Sequence, residues 1–268
     1  MNAFVSRRAL VSSVSLAAIS AGLGACGISG GRSTGLSGSS SSTKSFEQKP
    51  LVQQTLESMT LEQKVAQLFL VTPEQLTGVS QAVVAGSATQ RALEDIPVGG
   101  LCYFSQNITG DRQLRDLLSG TYNMALQSGA GIAPFLAVDE EGGSLVSRVA
   151  NSGYFDVQRF PNMAEVGAAG DEAQAAHVGT AIGEYLHEIG FNVDFAPVAD
   201  VLTNPSNEVI GPRAFSSDPD VVAQMVSAEV LAMLDTGTMP CIKHFPGHGD
   251  TAGDSHTGAV VSLSLIHI

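Results

Sequence analysis

The residues best suited to chemistry lie close together in the segment Lys243–His256. Their imidazole and carboxylate groups belong to His244, His248, His256, Asp250 and Asp254. Such side chains either ligate a metal ion or transfer protons. The apolar run at 239–242 comes directly before them. We therefore expect a strand that ends in a polar, glycine-rich loop, where enzymes often place catalytic groups.

A metal site is one interpretation of these histidines. His244 and His248 have the His-x-x-x-His spacing that binds zinc when both lie on one face of a helix. Pro246, Gly247 and Gly249 interrupt any helix there, so that geometry is lost. The sequence thus argues against a metal, and we expect no cofactor. A structural loop, in which the histidines bond to the backbone, is a second interpretation.

Proton transfer is a third interpretation. Asp254 stands two residues before His256, where a carboxylate can hold the imidazole in one tautomer and raise its basicity. The neighbouring glycines allow this pair to move towards a bound substrate. Lys243 and His244, at the predicted strand end, are better placed to bind substrate hydroxyl groups.

Alternating strand and helix patterns surround this segment. Continuously apolar strands are predicted at 69–71, 99–104, 132–138, 191–198 and 239–243. Helices are predicted over 79–93, 111–127 and 171–189, after a capping box at Thr60, and between Asp218 and Gly237. Strands without polar alternation, separated by helices, indicate a parallel sheet covered on both faces.

Charged residues follow three of the predicted strands. Asp139-Glu140-Glu141 follows the third, Asp194 and Asp200 accompany the fourth, and Lys243-His244 follows the fifth. Active sites of parallel α/β folds lie at the carboxyl ends of their strands. The sequence therefore predicts one pocket that these residues share.

The composition excludes some partners. A net charge of −13 argues against nucleic acid and against a polybasic contact with anionic lipid. The chain has no run of 18 apolar residues that could span a membrane. Cys102 and Cys241 each lie in a short apolar run, which predicts two buried thiols.

The amino-terminal residues have the pattern of an export signal. Arg7-Arg8 precede an apolar, small-residue run, and Leu23-Gly24-Ala25-Cys26 resembles a bacterial lipobox. We expect residues 1–26 to be a signal peptide and Cys26 to be acylated, which would anchor an exported protein on the outer side of the cytoplasmic membrane. A plain signal with an incidental cysteine is the alternative. Residues 27–49 are rich in glycine and serine and predict a flexible tether.

The segment Lys243–His256 resembles the signature of glycoside hydrolase family 3, in its bacterial β-N-acetylglucosaminidase branch. Three further segments, at 138–143, 195–201 and 211–215, resemble family motifs in the same order. The resemblance covers roughly residues 50–260. It implies a (β/α)8 TIM barrel, of which residues 50–268 would hold only the first five to six strand–helix units.

The resemblance also implies an activity and its residues. It implies retaining hydrolysis of terminal β-linked N-acetylglucosamine from peptidoglycan fragments or chitin oligosaccharides, through a covalent glycosyl-enzyme intermediate. His256 would be the general acid/base and Asp254 its partner. The sugar would be bound by Asp139, Arg213, Lys243 and His244. The protein would act as a monomer whose partner is a carbohydrate.

Two departures from the family pattern stand out. Glu140 replaces the glutamine of many members, which we interpret as a tolerated variant. The family's nucleophilic aspartate belongs to a later strand, and no residue up to Ile268 takes its position. We therefore expect this chain alone to be unstable and to hydrolyse no glycoside.

Other functions remain open at this stage. A β-glucosidase or β-xylosidase of the same family is one, and a non-catalytic, surface-tethered sugar-binding lipoprotein is another. A metallohydrolase is a third. Asp139 and Arg213 could also be a buried ion pair that only braces the strand ends.

Overall fold

Five parallel strands, hydrogen-bonded in chain order, form the sheet of the computed structural model, which describes residues 50–256 and 258. They are β1 (Leu70–Val71), β2 (Gly100–Tyr103), β3 (Phe135–Val138), β4 (Val193–Asp194) and β5 (Met239–Pro240). A doubly wound sheet reverses its strand order at a switch point, whereas a (β/α)8 barrel adds each strand beside the previous one. The order β1-β2-β3-β4-β5 is therefore that of successive barrel units, which confirms the predicted fold class.

Helices precede β1 and occupy the connections between the strands. They are α1 (Leu51–Ser58), α2 (Leu61–Ala66), α3 (Pro73–Thr77), α4 (Ser87–Asp95), α5 (Asp111–Leu126), α6 (Met163–Ala169), α7 (Glu172–Ile189) and α8 (Pro219–Thr236). Short 3-10 turns cover Ser105–Asn107, Ala150–Ser152 and Gly211–Arg213. The last of these turns carries one of the predicted sugar-binding residues.

Side-chain caps fix the predicted helix ends. The Thr60 hydroxyl accepts from the Gln63 N–H, and the Gln63 side chain accepts from the Thr60 N–H, which completes the predicted capping box. Asp171 and Asp218 cap α7 and α8 by accepting from the N–H groups of Ala173 and Asp220. Gly237 ends α8 with a φ of 92°, a conformation that favours glycine. These predictions are confirmed.

The core lies between the sheet and its helices. Leu101, Leu136 and Val138 of β2 and β3 are fully buried and pack with Ile182 of α7. Helices α7 and α8 approach so closely that a Cβ on Gly179 would lie 2.3 Å from the Glu229 carbonyl oxygen. A substitution of this glycine would therefore push the two helices apart.

The predicted start of the helix at 79–93 is wrong. Residues 79–86 are irregular, and α4 begins only after Gly86, its N-cap. A further short helix, α3, follows β1; it starts at Pro73 and is capped by Thr72. Proline is favoured at a first helical position because that residue needs no N–H partner.

The strands are shorter than predicted because side chains and prolines replace regular pairing. Asn192 accepts from the Leu136 N–H at 2.8 Å and donates to the Pro134 carbonyl at 3.0 Å, so β3 and β4 start later than expected. Regular pairing between β4 and β5 stops before Pro197, which has no N–H. It resumes in one bridge, where the Lys243 N–H donates to the Pro197 carbonyl at 3.1 Å. Lys243 is thus held at the carboxyl edge of the sheet.

The two thiols differ. Cys102 is buried, and burial raises the pKa of its thiol to about 12. Cys241 is exposed, so its predicted burial is wrong. Among the described residues no strand pairs with the far side of β5, which leaves this part of the edge open to solvent.

The predicted signal peptide (1–26), its acylated Cys26 and the tether (27–49) lie outside the described residues. Within the part of the chain that the structure describes, no helix has the length and apolar character needed to cross a membrane.

Candidate functional site

Lys243 is the cation around which two strand ends meet. Its ammonium Nζ lies 2.5 Å from Asp139 Oδ1 and 2.5 Å from Glu141 Oε1. Asp139 and Glu141 directly follow β3, whereas Lys243 follows β5. The Glu141 side chain is 1% exposed and that of Lys243 is 14% exposed, so both charges are largely withdrawn from water.

Glu141 also holds the second cation of the site. Arg213 donates to the two Glu141 oxygens through Nε at 2.7 Å and Nη2 at 2.8 Å, and its Nη1 donates to the Val209 carbonyl at 2.9 Å. Burial alone would lower the pKa of Arg213, but the bonds to Glu141 outweigh it and raise that pKa. One buried carboxylate is therefore the common acceptor for Arg213 and Lys243.

The sequence left open a buried ion pair between Asp139 and Arg213, but the structure gives each of them a different partner. Asp139 pairs with Lys243, and Arg213 pairs with Glu141. The Asp139 side chain remains partly accessible at 16% exposure. An accessible carboxylate beside a cation can accept from a ligand hydroxyl, whereas Glu141 is committed to its two partners.

His244 is oriented by Asp200, which the strand-end argument placed in the predicted pocket without assigning it a partner. Its Nδ1 lies 2.6 Å from Asp200 Oδ2, and its Nε2 lies 3.4 Å from Arg213 Nη2. Burial acts to raise the pKa of Asp200, but hydrogen bonds from His244 and from the His248 N–H together hold it below its ordinary value. The four predicted sugar-binding residues thus lie in one network with Glu141 and Asp200.

The first part of the loop after His244 is docked against the segment that follows β4. The His248 N–H donates to Asp200 Oδ1 at 2.5 Å, and Asn207 Nδ2 donates to the His248 carbonyl at 2.6 Å. Thr251 is buried and its hydroxyl lies 2.7 Å from His248 Nδ1. A Cβ on Gly249 would lie 2.1 Å from the Val201 carbonyl oxygen, so only glycine allows this close approach. We call residues 248–251 the anchored part of the loop.

The second part of the loop carries the predicted catalytic pair. His256 Nδ1 lies 2.7 Å from Asp254 Oδ1, and the His256 N–H donates to the same oxygen at 2.9 Å. Both bonds lower the pKa of Asp254, and the bond from the His256 backbone N–H has the larger effect. The side chains of His256 and Asp254 are 83% and 38% exposed. The dyad therefore has the geometry of an oriented imidazole but stands in solvent.

Three buried carboxyl groups lie behind this charged layer. Burial raises the pKa of Glu140 to about 7 and that of Glu229 to about 8, and it raises the pKa of Asp194 well above its ordinary value. Glu140 accepts from the N–H groups of Val149 and Ala150 and from the Tyr185 hydroxyl. Both of its oxygens are used, which gives glutamate a clear structural role at this position.

Arg148 is a candidate that the sequence analysis missed. It lines a cavity of about 260 Å³, together with Ser105, Ile108, Leu145, Ser147, Asn151 and Ser152. Its guanidinium carbon lies 5.8 Å from the centre of the Phe104 ring, and its buried Nε has no hydrogen-bond partner among the described residues. Its N–H donates to the Asp139 carbonyl, so the cavity borders the site. The sequence could have identified Arg148 as an arginine that follows soon after the Asp139-Glu140-Glu141 motif.

The histidines of the loop do not form a metal cluster in the described part of the chain, where no group of three or more His, Cys, Asp or Glu residues is arranged around a common point. The rings of His244 and His248 meet edge to face with centroids 6.1 Å apart. The ring nitrogens of His244 face Asp200 and Arg213, and those of His248 face the hydroxyl groups of Thr251 and Ser255.

Comparison with known proteins identifies the relatives of this chain. The family profile described as "Glycosyl hydrolase family 3 N terminal domain" matches residues 60–264. Beta-hexosaminidase A of Pseudoalteromonas piscicida is 40% identical over 165 residues, which are 60% of this chain and 27% of that protein. Beta-hexosaminidase LpqI of Mycobacterium tuberculosis (strain ATCC 25618 / H37Rv) is 33% identical over 205 residues, which are 75% of this chain and 47% of that protein.

Solved structures agree with this relationship. A glycoside hydrolase family 3 beta-N-acetylglucosaminidase from Paenibacillus sp. str. FPU-7 aligns with a TM-score of 0.65 and 35% identity, over 74% of this chain and 35% of that one. NagZ from Neisseria gonorrhoeae, in complex with N-trifluoroacetyl-D-glucosamine, aligns with a TM-score of 0.60 and 28% identity, over 71% and 53%. The chain spans less than half the length of the two curated relatives named above.

Proposed function

The chain belongs to glycosyl hydrolase family 3, and on that premise we propose that the complete protein hydrolyses terminal, non-reducing β-linked N-acetylglucosamine. Peptidoglycan fragments and chitin oligosaccharides are the proposed substrates. The observation that carries the proposal is the pairing of a buried charged network with an Asp254–His256 dyad on the adjoining loop. The names of the relatives, beta-hexosaminidase and beta-N-acetylglucosaminidase, support the choice of sugar.

Sugar binding is the task of the buried network. The carboxylate of Asp139 accepts from sugar hydroxyl groups, and the ammonium of Lys243 and the guanidinium of Arg213 donate to them. His244 contributes its Nε2 at the edge of the same network. Because Glu141 and Asp200 already hold three of these groups, little side-chain entropy is lost when the sugar binds.

Proton transfer is the task of the dyad. When a carboxylate nucleophile attacks the anomeric carbon, the bond from that carbon to the glycosidic oxygen breaks, and His256 gives that oxygen a proton. A water molecule then returns a proton to His256 while its oxygen attacks the anomeric carbon and frees the nucleophile. Asp254 orients the imidazole in both steps. We assign the nucleophile to no residue between 50 and 256.

The dyad must approach the network for these steps. Its exposure, next to an anchored part that ends at Thr251, supports a loop whose second part closes over bound sugar. Closure would exclude water and bring His256 to the leaving oxygen.

Parallel hydrolysis assays on the complete gene product test this function. We expect 4-nitrophenol release from its N-acetyl-β-D-glucosaminide, with a kcat/KM at least about 100-fold above that for the β-D-glucoside and β-D-xyloside. The first sugar product should retain the β configuration in a proton NMR time course. A preference for the glucoside or xyloside would instead identify the other branch of the family. Loss of activity in a chelator would favour a metallohydrolase.

A non-catalytic sugar-binding protein is the second candidate, because the binding network is preformed while the dyad stands in solvent. Isothermal titration calorimetry with N-acetylglucosamine separates the two. Binding without release of product from any aryl glycoside would support the binder and reject the hydrolase.

We also propose an exported lipoprotein, monomeric and anchored through acylated Cys26. Cys26→Ser should move the protein from the membrane fraction into the soluble fraction, without changing its hydrolytic rate. Membrane association that survives this substitution would contradict the anchor.

A further inference from the structure

We propose that Asp200 is a positioning residue that sets the tautomer of His244 and, with its other oxygen, fixes the root of the loop carrying the catalytic dyad. This inference rests on the proposed function, since it assigns one carboxylate to the assembly of that same site. It concerns a residue that touches neither the sugar nor the reacting atoms.

The two oxygens of Asp200 have separate tasks. Oδ2 lies 2.6 Å from His244 Nδ1, and Oδ1 accepts from the His248 N–H at 2.5 Å. The Asp200 side chain is fully buried, so water cannot replace either partner. Hydrogen bonds from both partners favour the carboxylate over the carboxylic acid. Asp200 is therefore an acceptor at both oxygens.

An acceptor at this position determines which His244 nitrogen carries the proton. A carboxylate facing Nδ1 requires a proton on Nδ1, and a neutral imidazole then has its lone pair on Nε2. Arg213 Nη2, which is only a donor, lies 3.4 Å from that Nε2. The opposite tautomer would direct an N–H at the guanidinium. Asp200 and Arg213 thus select the same tautomer from opposite sides of the ring.

The second oxygen connects this ring to the loop. The His248 N–H belongs to the anchored part at 248–251, which is also held by Asn207 and by the contact of Gly249 with Val201. The dyad begins three residues after Thr251, so its reach towards the sugar depends on where this anchored part is fixed. A single carboxylate consequently sets the spacing between the sugar-binding histidine and the base of the catalytic loop.

The substitution Asp200→Asn separates these tasks. A backbone N–H can only donate, so the amide oxygen is best kept on His248 and the amide NH₂ turns to His244. His244 Nδ1 must then accept, which moves its proton to Nε2, against Arg213. The His248 N–H keeps its acceptor at residue 200, while the tautomer of His244 reverses. Asp200→Ala removes both bonds.

Asp194→Asn is the matched control. Asp194 is also a fully buried aspartate near the end of β4, but its Oδ1 accepts from the Glu140 N–H and its Oδ2 has no partner among the described residues. The side-chain oxygen of an asparagine can accept from the Glu140 N–H, and its NH₂ group then takes the place of the oxygen without a partner. We expect this variant to leave the His244 tautomer unchanged.

Nitrogen-15 imidazole spectra of the complete gene product at about pH 8, where an ordinary histidine is neutral, test the tautomer directly. The signals of His244 are assigned from the spectrum of His244→Gln. We expect a proton on Nδ1 in the parent and in Asp194→Asn, and a proton on Nε2 alone in Asp200→Asn. A parent His244 without a proton on Nδ1 overturns the proposal.

Hydrolysis by the complete gene product tests the consequence. Asp200→Asn should raise KM for the aryl N-acetylglucosaminide by about 10- to 100-fold with little change in kcat, whereas Asp200→Ala should also lower kcat. Equal kinetics for Asp200→Asn and Asp194→Asn would overturn the proposal. If the parent cleaves no N-acetylglucosaminide, the proposed function fails, while the imidazole spectra still decide whether Asp200 sets the tautomer.

Discussion

The two parts of the candidate site differ most in their exposure to solvent. In the binding network, the side chains of Glu141, Arg213 and Lys243 are 1%, 13% and 14% exposed and bond to one another. In the dyad, the His256 side chain is 83% exposed and bonds to its neighbour Asp254. The groups proposed to bind the sugar are therefore held by one another, whereas the groups proposed to transfer protons are more exposed to solvent.

The largest expected effect comes from the exposed part. We expect His256→Gln to lower kcat of the complete gene product on the aryl N-acetylglucosaminide by about 10²- to 10⁴-fold, because it removes the proton donor and acceptor. The calorimetric affinity for N-acetylglucosamine and the unfolding temperature should not change. His177→Gln is a control, since this histidine lies on helix α7 and its ring packs against Phe160. A fall in affinity for His256→Gln would show that the two parts are not separate.

Glu141→Gln should produce the opposite pattern. An amide cannot serve two cations as the carboxylate does, so Arg213 loses its counter-ion and Lys243 keeps only Asp139. Removing one partner of a buried ion pair typically costs about 3–5 kcal/mol. We expect a lower free energy of unfolding and loss of detectable N-acetylglucosamine binding. Chemical denaturation and calorimetry measure the two effects, with exposed Glu208→Gln as the control. Unchanged binding would mean that Lys243 and Arg213 hold their positions without Glu141.

A smaller effect, dependent on pH, is expected behind the network. The pKa of Glu229 is about 8 in the folded protein and near 4.5 when exposed, so the folded state holds the proton more tightly. This contribution to stability is present below pH 4.5 and is lost as the pH rises through 8. Asp194 and Glu140 act in the same direction.

Glu229→Gln should flatten this dependence, because glutamine imitates the protonated acid. Urea unfolding between pH 5 and pH 8 should show a smaller loss of unfolding free energy than in the parent, by on the order of a few kcal/mol. Exposed Glu172→Gln serves as the control and should keep the full slope. Parallel slopes in the parent and Glu229→Gln would mean that Glu229 ionises freely in the fold.

The smallest effect is expected at the junction between the two parts. Asn207→Ala removes the bond to the His248 carbonyl, worth about 1 kcal/mol, while Asp200 still holds the His248 N–H. It also removes the bonds that Asn207 Oδ1 accepts from the Val209 and Ile210 N–H groups, so the free energy of unfolding should fall as well. We expect kcat to fall several-fold and KM to stay the same. Asn151→Ala, which removes a bond to the Ser144 carbonyl, is the control. A change in KM alone would place Asn207 with the binding network rather than with the loop.

Local chemistry explains which features the sequence could predict. The capping box at Thr60 and the start of α8 at Asp218 depend on residues within one helical turn, and these predictions were confirmed. The extent of β3 and β4 depends on Asn192, whose side chain reaches the chain 56 residues away. No local pattern contains that contact.

The sequence predicted which residues lie in the site, but it did not predict which of them bond to each other. The strand-end argument brought Asp139, Lys243 and His244 to one edge, and the structure brings them together there. It did not identify Glu141 as the shared acceptor or Asp200 as the partner of His244, because partner choice depends on side-chain directions across three loops. The catalytic roles of Asp254 and His256 remain predictions.

The single carboxylate shared by Arg213 and Lys243 has a consequence for how this sequence can change. A substitution that moves one cation alters the position and charge balance of the other, so the effects of the two substitutions should not add. A change in ligand specificity at this site is therefore reached by paired substitutions more readily than by single ones. Because both bond to Glu141, Arg213 and Lys243 should evolve together, although they lie 30 residues apart in the chain.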